Sequence, residues 1–162
     1  MTTPTIGLIV NPDSSKDIRR LLGLARVVDA EEKANLAARF LVGLTAGPPT
    51  TVLAYDDPAG ITRRAVALVG TTSPPVRYVD VPRDGTENDT RRAAAAIAAA
   101  GAGALAVVGG DGTARAAVEG WPEARLVPMA AGTNNAIGLT EEPTIVGLAT
   151  AQAVRGHGFR PL

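Results

Sequence analysis

The sequence predicts an α/β fold in which one parallel sheet carries helices on both faces. Short apolar runs rich in β-branched residues alternate with longer stretches whose apolar residues recur at helical spacing. Glycine, proline and capping residues stand at the junctions between these two kinds of stretch. Strands that alternate with helices are joined by crossover connections, and they therefore lie parallel in one sheet.

The elements follow in order along the chain. Apolar, β-branched runs predict strands over residues 5–10, 51–55, 76–81, 105–108 and 126–129. Capping residues followed by apolar faces predict helices over residues 14–28, 29–47, 57–70, 86–101, 114–119 and 143–156. No internal repeat or linker interrupts this alternation, so a single domain over residues 1–162 is expected.

Composition excludes several classes of protein. The 16 basic residues balance the 16 acidic ones, so nothing indicates a nucleic acid or a membrane surface bound through bulk charge. The absence of cysteine excludes disulfides and thiolate metal sites, and the one histidine, His157, excludes a histidine cluster. With no signal peptide and no apolar run of membrane-spanning length, a cytoplasmic protein is expected.

The fourth strand leads into the most informative stretch, Gly109-Gly110-Asp111-Gly112-Thr113. Glycines let a backbone turn sharply and approach a ligand closely. The amides at the start of the following helix favour an anion such as a phosphate. Asp111, in the middle of the loop, is suited to hold Mg²⁺ or to accept a proton from an attacking hydroxyl. The alternative is an ordinary turn in which the aspartate makes local hydrogen bonds.

A second polar loop, Gly132-Thr133-Asn134-Asn135, follows the fifth strand. The adjacent amides suit the edge of a ribose or a base, although a helix cap is an equally good interpretation. Because ligands bind at the carboxyl ends of parallel strands, both loops are expected at one edge of the sheet, together with Asn11. This clustering is the main argument from the residues for a ligand site.

Basic residues after the first strand bear on the same edge. Lys16 is placed to supply positive charge to a phosphate or to lie on a solvated helix face, whereas Arg19 and Arg20 fit a solvated face better. The chain lacks the Gly-Lys-Ser or Gly-Lys-Thr of a Walker loop, and it lacks Gly-x-Gly-x-x-Gly after the first strand. A nucleotide triphosphate nevertheless suits the edge best, since phosphoryl transfer needs mainly positioning and neutralisation of charge.

The two glycine loops, in the order in which they occur along the chain, resemble those of the superfamily of NAD kinases, diacylglycerol kinases and 6-phosphofructokinases. Residues 109–113, and Pro128 followed by residues 132–135, carry that resemblance. The chain is more closely similar to the ATP-NAD kinase-like family called acetoin catabolism protein X. The segments responsible are residues 6–12, 16–20, 89–93 and 142–149, so the resemblance spans nearly the whole chain.

The resemblance implies a Rossmann-like domain equivalent to the N-terminal domain of these kinases. It also implies that residues 109–113 contact nucleotide phosphates, that Asp111 is the key acid, and that Asn11 and residues 132–135 line the cleft. Three departures stand out. Ser15 replaces a glycine of the lipid-kinase relatives, and Asn135 stands where they have an acid. The family's β-rich second domain is expected to be absent from this chain, which ends at Leu162.

Three functions stay open from the sequence. The first is phosphoryl transfer from ATP to a hydroxyl acceptor such as NAD, with Asp111 as base or magnesium ligand; the acceptor rests on analogy alone. The second is an accessory or regulatory protein that binds a nucleotide or metabolite without catalysis, because the second domain is expected to be absent. The third is a partner-binding module whose glycine loops are only turns. A homodimer or a separate partner chain is also expected, through the uncovered cleft face or the apolar helix faces between Ile18 and Leu44.

Overall fold

The computed structural model describes residues 3–14, 27–133 and 135–156, and it confirms the predicted α/β architecture. Five strands form one all-parallel sheet in the order β3-β2-β1-β4-β5. Their bounds are β1 Thr5–Val10, β2 Thr51–Tyr55, β3 Val76–Val79, β4 Ala104–Gly109 and β5 Leu126–Ala130. Lys16, Asn134, His157 and most of the helix predicted over residues 14–28 lie outside the described residues.

Within the described residues, five helices cover the two faces of the sheet. They are α1 Ala30–Thr45, α2 Ile61–Val69, α3 Glu87–Ala99, α4 Asp111–Gly120 and α5 Pro143–Ala153, and a short 3₁₀ turn over Gly70–Thr72 follows α2. Helix α1 packs between α2 and α5 on one face, and α3 packs beside α4 on the other. The central strands β1 and β4 are buried over most of their length, as expected for strands that are covered on both faces.

Close packing explains several small residues of the helices. A Cβ on Gly43 of α1 would overlap the carbonyl oxygen of Thr144, and a Cβ on Gly147 of α5 would overlap the carbonyl oxygen of Phe40. These two glycines therefore let α1 and α5 approach backbone to backbone. The apolar face of α1, including Phe40 and Leu44, is buried in the core by this packing. Over α1, this face is consequently occupied within the chain and is not free for a dimer, whereas the part of the predicted dimer face that begins at Ile18 lies outside the described residues.

Helix boundaries differ from the prediction at two functionally relevant places. Helix α2 starts at Ile61 rather than at Asp57, because the Asp57 carboxylate accepts the N–H groups of Ile61 (3.0 Å) and Thr62 (2.8 Å) from a position before the helix. Helix α4 starts at Asp111, three residues before the predicted start at Ala114. Strand β3 also ends at Val79, two residues earlier than predicted.

Within the described part of the chain, no helix combines the length and the apolar character needed to cross a lipid bilayer.

Candidate functional site

The first glycine stretch is the junction of β4 and α4. Strand β4 continues through Gly109, Gly110 is the extended N-cap residue, and Asp111 is the first residue of the helix. The backbone N–H groups of Asp111 and Gly112 have no acceptor among the described residues, as is usual in the first turn of a helix. These amides, with the positive end of the helix dipole, form a place for an anion at the carboxyl edge of the sheet.

The side chain of Asp111 is bound by the backbone of the second loop. One carboxylate oxygen accepts the N–H of Ala136 at 2.8 Å, and the other accepts the N–H of Ile137 at 3.2 Å. A carboxylate offers about four lone-pair positions, so each oxygen keeps the capacity to bind a cation or to accept a proton. The residue is half-buried, and its carboxylate is held in place before any ligand arrives.

The second loop is closed by its own asparagine. The side chain of Asn135 accepts the N–H of Gly132 at 3.0 Å and donates to the carbonyl oxygen of Gly132 at 2.9 Å. Both bonds join the carboxamide to the backbone of its own loop and not to a helix. The interpretation of Asn135 as a helix cap is therefore wrong. The buried hydroxyl of Thr133 has no hydrogen-bond partner among the residues described.

The two glycine loops contact each other directly. The N–H of Ala131 donates to the carbonyl oxygen of Gly109 at 2.8 Å, which extends the pairing of β4 with β5. A Cβ on Gly132 would overlap the Cα of Gly110, so glycine is needed at this contact. A Cβ on Gly109 would lie 2.7 Å from the hydroxyl of Thr113, which folds back over the junction. The predicted loops therefore form one surface.

Asn11 joins the end of β1 to this surface. Its Nδ2 donates to the Thr113 hydroxyl at 2.8 Å, and its Oδ1 accepts the N–H of Asp13 at 2.9 Å. Thr113 is buried, so the pair sits beneath the site and holds the first turn of α4 against the end of β1. The structure thus brings together Asn11, the first loop and the second loop, as the edge argument predicts.

Lys33 of α1 supports the segment that follows β1, a role that the sequence pattern does not indicate. Its Nζ donates to the carbonyl oxygens of Pro12 (2.9 Å) and Ser14 (2.6 Å), and only 2% of the residue is exposed. The hydroxyl of Ser14 in turn lies 3.0 Å from the carbonyl oxygen of Ala131. The spacing of residues could have indicated that Lys33 is buried, since it continues the buried face of α1 four residues before Ala37.

A second concave surface lies beside Asn11, where α3 begins. A pocket of about 130 Å³ is lined there by Asn11, Tyr55, Thr86 and Thr90, among others. A hydrogen bond from Thr86 and the Arg92 guanidinium hold the pKa of the Asp84 carboxyl well below its usual range. Burial raises the pKa of the Tyr55 phenol. The start of α3 therefore presents polar groups to this pocket, and their hydrogen bonds hold them in place.

A family model described as the diacylglycerol kinase catalytic domain matches residues 59–153, which is more than half of the chain. The chain belongs to this family. The matched region contains both glycine loops and Asp111, and catalytic domains of this family generally use ATP and a divalent metal. The resemblance to the NAD kinase and diacylglycerol kinase group is therefore confirmed.

A curated relative agrees with this assignment. The chain is 37% identical over 160 residues to acetoin catabolism protein X of Cupriavidus necator. The match covers 95% of this chain and 45% of the relative, so the chain spans about half the length of the curated relative it matches. No solved structure gives a significant match.

Proposed function

We propose that the chain binds magnesium–ATP at the joined glycine loops and transfers its terminal phosphoryl group to a hydroxyl acceptor, with NAD as the first acceptor to test. One observation carries this proposal. The free N–H groups of Asp111 and Gly112 stand next to the anchored Asp111 carboxylate at the same helix start. Donors for an anion and a ligand for a cation are thus adjacent, as a magnesium nucleotide requires.

Gly112 supports the placement of the phosphates. A Cβ built on this residue meets no atom within 4 Å, unlike those on Gly109 and Gly132. Packing among the described residues therefore does not require glycine at this position. A phosphate that approaches the backbone does require it, because a side chain would occupy the same space. Lys16 and Asn134 remain predicted contacts of the nucleotide.

Asp111 fits a magnesium ion that arrives with its nucleotide. Among the residues described, no group of three or more acidic or histidine side chains is placed to hold a metal. Mg²⁺ is commonly bound by one or two carboxylates together with phosphate oxygens and water, so a lone anchored carboxylate is sufficient. When bound, the ion would neutralise charge on the phosphates.

The proposed transfer has a simple balance. The acceptor's hydroxyl oxygen forms a bond to the γ-phosphorus, the bond from that phosphorus to the β–γ bridging oxygen breaks, and ADP leaves. The hydroxyl proton needs an acceptor, and Asp111 is the side chain that we assign to this role. Asn11 and Thr113 position the turn that carries it.

A second candidate function is nucleotide binding without transfer. It is supported by the same unpaired amides at the start of α4, because they can bind a nucleotide phosphate whether or not an acceptor hydroxyl is present. Formation of ADP that depends on an added acceptor would distinguish transfer from binding alone.

Gly112→Ala tests the nucleotide site. Alanine is the better helix former, so the free energy of unfolding should stay the same or rise by up to about 1 kcal/mol. The added methyl group should meanwhile raise the dissociation constant of magnesium–ATP about tenfold or more, measured by calorimetric titration. Gly103→Ala is the matched control, because its methyl group would make only ordinary contacts, 3.6 Å at the closest. Unchanged affinity in Gly112→Ala would contradict the proposed phosphate position.

A further inference from the structure

A groove outside the candidate site separates β5 from α5. Strand β5 lies at the edge of the sheet, where β4 is its neighbouring strand, and α5 packs on α1 along its other side. The groove between them has a volume of about 610 Å³. Its walls are largely aliphatic, with Leu126 and Val127 from the strand and Ile145 and Ala149 from the helix.

The helix that forms one wall is apolar on more than its buried side. No charged residue occurs in Pro143–Ala153, and Ile145 at the groove is 65% exposed. A helix that is apolar nearly all round is normally covered on more than one side. An exposed aliphatic patch of this kind marks an interaction surface.

The two ends of the groove carry opposite charges. Arg125 precedes β5 at one end, and Glu141 precedes α5 at the other. Both residues are exposed, and neither side chain has a hydrogen-bond or ion-pair partner within the part of the chain that the structure describes. A two-fold rotation places the cation of one copy against the anion of the other and the two apolar centres against each other. Such a surface is therefore complementary to a second copy of itself.

The edge of β5 is closed to strand addition. Pro128 has no N–H to offer, and its carbonyl oxygen accepts the N–H of Leu139 at 2.7 Å. The outward N–H of Ala130 donates to the carbonyl oxygen of Leu139 at 3.1 Å. A partner must therefore bind through side chains in the groove rather than by extending the sheet.

We propose that a second copy of this chain occupies the groove around a two-fold axis. Arg125 of each copy then lies against Glu141 of the partner subunit, and the two ion pairs flank an apolar centre that buries Ile145 from both copies. Because the same ion pair occurs twice across the two-fold axis, a single substitution changes two contacts at once. This surface is distinct from the nucleotide edge, so the proposal stands independently of the proposed function.

Sedimentation equilibrium of charge-reversal variants tests the interface. We expect the wild type to dimerise at concentrations up to about 100 µM, a range that detects micromolar affinity. Arg125→Glu and Glu141→Arg should each raise the dimer dissociation constant about tenfold or more, because like charges then face each other. Arg77→Glu, on the opposite edge strand β3, is the control and should leave the constant unchanged.

A mixture of the two variants makes the test decisive. In a one-to-one mixture of Arg125→Glu and Glu141→Arg, a heterodimer again pairs opposite charges at both ends, so dimerisation should return. Circular dichroism of each variant alone establishes that it is folded. A monomeric wild type, a dimer insensitive to both reversals, or a mixture of folded variants that stays monomeric would overturn the proposal. If the wild type is monomeric, the groove would have to bind another apolar segment instead of a second copy.

Discussion

Replacing Asp111 by asparagine is expected to lower phosphoryl transfer about 100-fold or more while the fold is retained. The asparagine oxygen can still accept the N–H of Ala136, so most of the contact between the loops survives. The negative charge that would hold Mg²⁺ and the basic oxygen that would accept the hydroxyl proton are both lost. The measurements are acceptor-dependent ADP formation and the magnesium dependence of ATP binding.

Asp80→Asn is the matched control for this experiment. Asp80 is an exposed acid that directly follows β3 at the same edge of the sheet, and the described structure gives it no hydrogen bond or ion pair. It should leave both activity and magnesium dependence unchanged. Full activity in Asp111→Asn, or ATP binding that depends on magnesium as in the wild type, would remove Asp111 from the proposed role.

Lys33→Met is expected to lower the free energy of unfolding by about 2–4 kcal/mol. Methionine fills a similar volume, but the carbonyl oxygens of Pro12 and Ser14 lose the buried charged donor that now satisfies them. The same change should weaken nucleotide binding, since the segment that carries Asn11 loses its attachment to α1. Urea-induced unfolding measures the first effect and calorimetric titration the second.

Arg39→Met provides the comparison on the same helix. Its ion pair with Glu142 is solvent-exposed, and exposed pairs contribute little to stability. If Lys33→Met is as stable as Arg39→Met, the buried lysine does not hold the segment after β1. If stability falls but affinity for the nucleotide is unchanged, Lys33 supports the fold without shaping the site.

The strands and the location of the site could be predicted because both depend on local patterns and on topology. Apolar, β-branched runs identified all five strands, and parallel order placed Asn11 and the two loops at one edge. Parallel order predicts that Asn11 and Thr113, 102 residues apart, lie near each other. It does not predict the hydrogen bond between them. The start of α4 was missed because Gly112 has a low intrinsic preference for helix, whereas the hydrogen bonds of Asp111 to Ala136 and Ile137 hold this turn in place.

Long-range contacts with backbone groups could not be predicted from the sequence. The amides of Ala136 and Ile137 that bind Asp111 carry no side-chain signature, because every residue except proline has the same N–H. Lys33 was overlooked for a related reason. A lysine is normally exposed, and its burial becomes favourable when acceptors such as the carbonyl oxygens of Pro12 and Ser14 surround its Nζ.

The most direct test of the nucleotide site is a titration of the ¹⁵N-labelled protein with magnesium–ATP, followed by amide NMR. The amides of Asp111 and Gly112 should shift saturably, and those of Gly132 and Ala136 in the contacting loop should follow them. The shifts at Asp111 and Gly112 should weaken when magnesium is removed by chelation. Saturable shifts that spare α4 and the second loop, or no saturable shift at any concentration, would contradict a nucleotide site at the joined glycine loops.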